Sequence, residues 1–167
     1  GVEIGKSLSE DKQVDLAAKL LKGAEARNIE ILLPVDHITS HKVDDTGNVK
    51  TTIDASIASD RMGLDIGPKT IAIYRSALEG VSTVFWNGPM GVFETPAFAK
   101  GTFDMARAIG ASSAQKLAGG GDVSLAITES GCESQFDFIS TGGGATLEYL
   151  EGRELPGLKV LEVPSRA

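Results

Sequence analysis

Three glycine-rich stretches constrain this chain more than any other feature: Trp86-Asn87-Gly88-Pro89-Met90-Gly91-Val92-Phe93-Glu94, Ala118-Gly119-Gly120-Gly121-Asp122 and Ser140-Thr141-Gly142-Gly143-Gly144-Ala145. Each has a short β-prone run behind it and a helical pattern ahead. Glycine at a strand-to-helix turn lets backbone N–H groups converge on an anion without obstruction from a Cβ, beside the positive end of a helix. One such turn would say little. Three in order point to a ligand that carries phosphates.

The chain has 167 residues, enough for one domain with a substantial core. Twenty glycines are well above the usual ~7% share, and most fall at element boundaries, so they read as turns rather than low complexity. The formal charge of −7 argues against a general nucleic-acid or anionic-membrane surface. It leaves nucleotide binding open, because backbone amides and a few local cations suffice to hold a phosphate. Cys132 is the single cysteine, so no internal disulfide forms. His37 and His41 lie four apart with only Asp36 beside them, which is too thin a set for zinc. No signal peptide and no 18-residue apolar span are present, so a cytoplasmic location is expected, with no membrane or nucleic-acid partner.

Along the chain, Gly1 to Lys6 reads as the end of a connection. Ser7 and Glu10 have capping-box spacing, and Val14, Ala17, Ala18, Leu21 and Ala24 then mark one face of a helix over about 9–27, stopped at Asn28. Ile29 to Val35 is a nearly continuous apolar run, as expected of a strand buried on both faces. Beyond Val35 the alternation fails. The turn Asp44 to Asn48 and a short strand over Val49 to Ile53 suggest a surface excursion, of β-hairpin type. Pro68 suits a first helical position, with Ile71, Tyr74, Ala77 and Leu78 on the inner face up to Gly80. Gly67-Pro68-Lys69-Thr70 imitates a phosphate loop, but proline interrupts the Gly-Lys step and removes an N–H, so the match is rejected.

From residue 81 strands and helices alternate. A strand over 81–86 leads to a helix over about 96–109 with Phe98, Thr102, Met105 and Ile109 inside, stopped by Gly110. A weak strand over Ala114 to Ala118 leads to a helix opened by Asp122 and stopped by Gly131. A third strand over Phe136 to Ile139 leads to a helix over Ala145 to Leu150, and Lys159 to Val163 reads as a last short strand. Such alternation predicts an α/β fold, a partial Rossmann-like domain with a mainly parallel sheet and helices on both faces. Right-handed crossovers then put all three glycine turns at the carboxyl ends of strands, where open α/β sheets bind ligands.

These stretches, with Gly5-Lys6-Ser7-Leu8, Leu33-Pro34-Val35-Asp36 and Met62-Gly63-Leu64-Asp65-Ile66-Gly67-Pro68, resemble the phosphoglycerate kinases in order and spacing. The resemblance covers the later part of that family's carboxy-terminal, nucleotide-binding domain. It implies an incomplete nucleotide-binding domain over 1–167, without the amino-terminal substrate domain and without the opening part of the second domain. The chain is therefore expected to be a piece of a larger protein, able to self-associate through an open sheet edge and inactive alone. The resemblance implies a substrate pair of ADP and ATP with Mg²⁺, and 1,3-bisphosphoglycerate and 3-phosphoglycerate in the intact enzyme only. It further implies that Leu8, Gly63, Leu64 and Val92 meet the adenine and Glu94 the ribose hydroxyls. Asn87 and Pro89 would flank the nucleotide, and Gly120, Gly121, Asp122 and Val123 would form the phosphate turn, with Asp122 the ligand of nucleotide-bound Mg²⁺. Gly142 and Gly143 would stand near the transferring phosphoryl group. The family usually carries Ser or Thr after Gly-Gly-Gly-Asp. Here that position is Val123, and Ser124 follows one place later, about 100° round a helix.

Overall fold

The computed structural model describes residues 1–161 and divides into two units, 1–77 with 90–105 and 78–89 with 106–167, a boundary that falls inside one helix.

In the first unit, a 3-10 turn over Asp11–Gln13 runs into α1, Val14–Ala26, and Asn28 stops the helix in the left-handed region at φ 52°. The expected capping box does not form. Ser7 Oγ instead accepts the Gly63 N–H at 2.9 Å, and Ser9 Oγ donates to Asp11 Oδ1. The apolar face of α1 is present in sequence, yet no residue of α1 is buried. Ile29 to Val35 is likewise not a strand. Ile29, Ile31, Leu33 and Val35 are exposed, and strand β1 begins two residues later, at His37–Ser40. An apolar run becomes a strand only when a neighbouring backbone takes up its N–H and C=O groups, and no described strand pairs with 29–35. Side chains hold it instead: Tyr74 Oη donates to the Leu32 carbonyl, and the Val35 N–H donates to Thr70 Oγ1.

The expected hairpin is present. β1 pairs antiparallel with β2, Lys50–Thr51, and on its other side with β3, Met62–Ile66, to give the order β2-β1-β3. This sheet is antiparallel; among the described residues the parallel sheet expected of the chain lies in the second unit, and the first has only an isolated parallel bridge, Ile4 with Ile57. Alternation failed after Val35 because the buried positions of β1 are polar: Thr39 and Ser40. Buried Arg61 satisfies part of this set, donating to Thr39 Oγ1 and to the Thr39 and Asn48 carbonyls. β3 escaped sequence reading because Gly63 and Asp65 interrupt its β-prone residues.

Asp36 sets the entry to α2, Pro68–Ala77. Its carboxylate is fully buried and accepts the Lys69 N–H, the Thr70 N–H and the Thr70 hydroxyl at 3.0, 2.8 and 2.7 Å. A Cβ at Gly67 would collide with that carboxylate. Burial pushes the Asp36 carboxyl up, but the bonds from Thr70 and Lys69 and the Lys69 charge outweigh it and leave it below its ordinary value.

In the second unit, β4 is Thr83–Asn87, β5 is Gln115–Gly119 and β6 is Phe138–Ser140, paired parallel in that order. Helix α4, Gly121–Glu129, buries Val123, Ala126 and Ile127, and Trp86 stacks obliquely on Phe136 with ring centroids 6.3 Å apart. Between β4 and β5, α3, the helix that the unit boundary divides, spans Lys100–Ala111 after a 3-10 turn over Pro96–Phe98, and the expected inner face of Phe98, Thr102, Met105 and Ile109 is buried. Gly110 does not stop α3. It lies inside the helix, where a Cβ would strike the Gln135 side chain, so its small size serves packing rather than termination. Helix α5, Gly143–Leu150, starts two residues before the expected Ala145. The expected last strand is absent from the described part of 159–163. Pro156–Lys159 form α6 and Val160 and Leu161 follow as a turn, because Pro156 supplies a helical first residue; 162 and 163 lie outside the described residues.

Replacing Asp36 by Ala removes the acceptor of three hydrogen bonds at a buried helix start. We expect a loss of about 2–3 kcal/mol in urea unfolding, with Asp36→Asn losing less because its amide oxygen still accepts.

Candidate functional site

The parallel ladder of the second unit brings the three glycine turns to one level. Asn87 stands opposite Gly119, and Gly119 opposite Ser140, so all three chains leave the sheet at the same edge. The turns then bond to one another. Asn87 Nδ2 donates to the Gly119 carbonyl at 2.6 Å and the Gly120 N–H donates to the Ser140 carbonyl at 2.9 Å. Glycine is obligatory at two of these positions. Gly120 has φ +117°, and a Cβ on Gly143 would come 2.7 Å from the Gly120 Cα.

Two helices begin at this edge. α4 starts after Gly120 and α5 after Gly142, and neither has a side-chain cap on its first N–H groups. Uncapped N-termini leave donors and a positive dipole end for an anion. Asp122, the second residue of α4, is exposed. Val123 is not: it is 1% exposed, so its side chain belongs to the core and only its backbone is left for a ligand. The Ser124 hydroxyl does not replace the missing one, because it donates to the Gly120 carbonyl at 2.8 Å. Gly142 is held in place from both sides, its N–H donating to Ser140 Oγ and its carbonyl accepting from Thr146 Oγ1.

The first unit carries an open groove of about 500 Å³, within the range that small ligands occupy. Of the residues expected to meet a base, Leu8, Gly63, Leu64 and Val92 all line it. Leu64 is buried beneath, whereas Leu8 stands fully exposed at the lip. Glu94 is exposed and does not line the groove, and Asn87 and Pro89 belong to the second unit. Sequence reading missed His37, Ile57 and Met90, which also line it. Ile57 had no signal of its own, since it sits outside any strand. Met90 lies within the first glycine stretch, between Pro89 and Gly91.

The groove wall is fixed by one buried carboxylate. Asp65 accepts the Gly101 N–H at 2.6 Å through Oδ2, and a Cβ on Gly91 would come 2.5 Å from its Oδ1. Thr102 Oγ1 accepts the Met90 and Gly91 N–H groups, and the Val92 N–H donates to the Leu64 carbonyl at 2.8 Å. These bonds press 90–92 onto β3. Burial pushes the Asp65 carboxyl up to about 6, against the bonds from Gly101 and Ile66.

No helix among the described residues is long and apolar enough to cross a membrane, and no three His, Cys, Asp or Glu residues cluster there as a metal set. Fold and geometry thus define an α/β protein with paired helix N-termini over the carboxyl ends of a parallel sheet, the arrangement of phosphate-binding α/β proteins. The phosphoglycerate kinase family model matches residues 1–153, and the chain belongs to that family. It is 50% identical over 166 residues to the phosphoglycerate kinase of Bdellovibrio bacteriovorus, covering 99% of this chain and 41% of that one. It is 47% identical over 162 residues to that of Anaeromyxobacter dehalogenans, covering 97% and 41%. Among solved structures, phosphoglycerate kinase from Coxiella burnetii superimposes with a TM-score of 0.86 at 40% identity, over 96% of this chain and 42% of that one. The Pyrococcus horikoshii enzyme gives 0.71 at 31% identity, over 96% and 40%. The chain therefore spans about two-fifths of the length of these relatives.

The raised Asp65 carboxyl makes a signed prediction. Below pH 3.8 the residue is protonated folded and unfolded, and its burial costs nothing extra. Between 3.8 and about 6 the unfolded chain releases the proton while the folded chain keeps it, so stability falls as pH rises and levels off above 6. A shift of this size corresponds to about 3 kcal/mol. Asp65→Asn, neutral throughout, should gain roughly that much on the parent chain between pH 4 and pH 7 in urea unfolding. Parallel curves for the two would show that the Asp65 carboxyl keeps its ordinary value in the fold.

Proposed function

We propose that this chain is the nucleotide-handling part of a phosphoglycerate kinase, a phosphotransferase of cytoplasmic glycolysis. The intact enzyme moves a phosphoryl group from 1,3-bisphosphoglycerate to Mg-ADP, giving 3-phosphoglycerate and Mg-ATP. In this reading the adenine lies in the groove of Leu8, Gly63, Leu64 and Val92, and Glu94 accepts hydrogen bonds from the ribose hydroxyls. Asn87 and Pro89 flank the nucleotide. Gly120, Gly121 and the Val123 backbone N–H receive phosphate oxygens at the start of α4, while Gly142 and Gly143 present the start of α5 to the transferring group. The observation that carries the reading is the level ending of β4, β5 and β6, which sets two uncapped helix N-termini side by side.

Phosphoryl transfer needs little covalent chemistry from a protein. It needs positioning and neutralisation of oxygen charge. Mg²⁺ brought in with the nucleotide would supply part of that neutralisation as a Lewis acid. A hard cation that keeps several waters needs only one or two carboxylates, and exposed Asp122 in the first turn of α4 fits as one. The helix ends hold and orient the phosphates, while the apolar groove keeps water from the base.

Phosphate recognition is nevertheless weaker here than adenine recognition, since Val123 carries no hydroxyl and that of Ser124 is spent on Gly120. Titration calorimetry should find Mg-ADP less than roughly tenfold, or about 1.4 kcal/mol, tighter than adenosine. Asp122→Ala should abolish the Mg²⁺ dependence, and Glu94→Ala should weaken adenosine and ADP alike. A hundredfold preference for Mg-ADP, or an Asp122→Ala protein that binds it unchanged, would sink this assignment.

The chain as it stands should show no turnover in a coupled assay for Mg-dependent ATP formation, because it matches only 41% of a relative's length. Measurable ATP formation would place the whole catalytic centre within these residues.

A further inference from the structure

Resting on the adenine reading of the groove, we propose that His37 is the hydrogen-bonding group that reads the edge of the base, and so the specificity-determining residue of that groove. The groove is lined mainly by aliphatic side chains, and its polar backbone groups near Gly63 are already spent. The Gly63 N–H donates to Ser7 Oγ, the Val92 N–H donates to the Leu64 carbonyl, and the Met90 and Gly91 N–H groups share Thr102 Oγ1. A base laid on Leu64 and Val92 therefore finds apolar surface, and besides His37 and Asp65 the one polar side chain on the lining is Ser7, whose oxygen already takes the Gly63 N–H. Asp65 also lines the groove, yet it is buried and engaged with Gly101 and Ile66.

His37 differs from these groups. Its imidazole lines the groove, half-buried, with Nδ1 3.9 Å from the point where a Cβ on Gly63 would stand. The ring has no hydrogen-bond or ion-pair partner among the described residues, and yet its backbone is pinned. The His37 N–H donates to Thr52 Oγ1 at 2.9 Å, its carbonyl accepts the Thr52 N–H at 2.9 Å, and its Cα is registered opposite Ile66. A fixed backbone and an unspent ring make a preorganised contact. A neutral imidazole offers one donor and one acceptor, so it discriminates among bases whose edges present donors and acceptors in different order. A site that expects a polar partner rejects a base lacking it more strongly than an apolar surface does.

Only two histidines are present, so His41, on the far side of β1's end, serves as an internal control. The test uses the full chain with adenosine, inosine and uridine as probes, followed by the imidazole signals of both histidines and the methyl signals of Leu64. Adenosine should move the His37 ring and the Leu64 methyls and leave His41 in place. His37→Leu should flatten the preference among the three nucleosides at least threefold, while a purely structural role would weaken all three in proportion. If the Leu64 methyls respond but His37 does not, or the preference survives in His37→Leu, this proposal is overturned and the groove reading stands. If adenosine moves neither, both readings fall. Should His37→Leu not fold, the ring signals of the parent chain decide alone.

Discussion

Two buried carboxylates hold the first unit in shape, and they do so by the same physics. Asp36 and Asp65 each take up backbone N–H groups at the start of a helix, Asp36 for α2 and Asp65 for α3. A buried carboxylate is tolerable only when its lone pairs are satisfied, and a helix start is a ready supply of unpaired donors. Close approach to the carboxylate excludes a Cβ, which is why Gly67 stands against Asp36 and Gly91 and Gly101 against Asp65. The groove inherits its wall from this arrangement. With 90–92 pressed onto β3 by Asp65 and Thr102, Val92 and Leu64 face the same space.

The two carboxylates differ in what surrounds them, and so in charge. Asp36 receives three donors and a nearby lysine charge, which together outweigh its burial. Asp65 receives two N–H groups, with Asp104 opposing and Lys100 favouring its ionisation, and burial prevails. One residue type in one structural role thus responds to pH in opposite directions.

In the second unit the governing constraint is register. Parallel strands that end level put their loops into contact, and loops in contact leave no room for side chains. Gly143 answers that crowding, Gly120 answers the left-handed turn at φ +117°, and the two helices that start here are left without side-chain caps. Asp122, exposed in the first turn of α4, sets a carboxylate beside one of those helix starts, where it offsets part of the positive end. Its neighbour Val123 points the other way, and its side chain serves the core.

The glycine turns were legible in the sequence because their cause is local: a strand end, a tight turn and a helix start lie within a dozen residues. The same holds for the inner face of α3, the Pro68 start of α2 and the stop at Asn28. The family was legible for a similar reason, since its motifs are contiguous. What tertiary structure decided was pairing. Ile29–Val35 has the composition of a buried strand but no described neighbour to complete it, while polar β1 and glycine-interrupted β3 became strands because each completed the other. Ser7 looked like a helix cap, but Gly63, 56 residues away, claimed its hydroxyl. His37 and Ile57 joined the groove through contacts that no sequence period encodes. Period and propensity report what a segment can do, and only the partner brought to it by the fold determines which of those things it does.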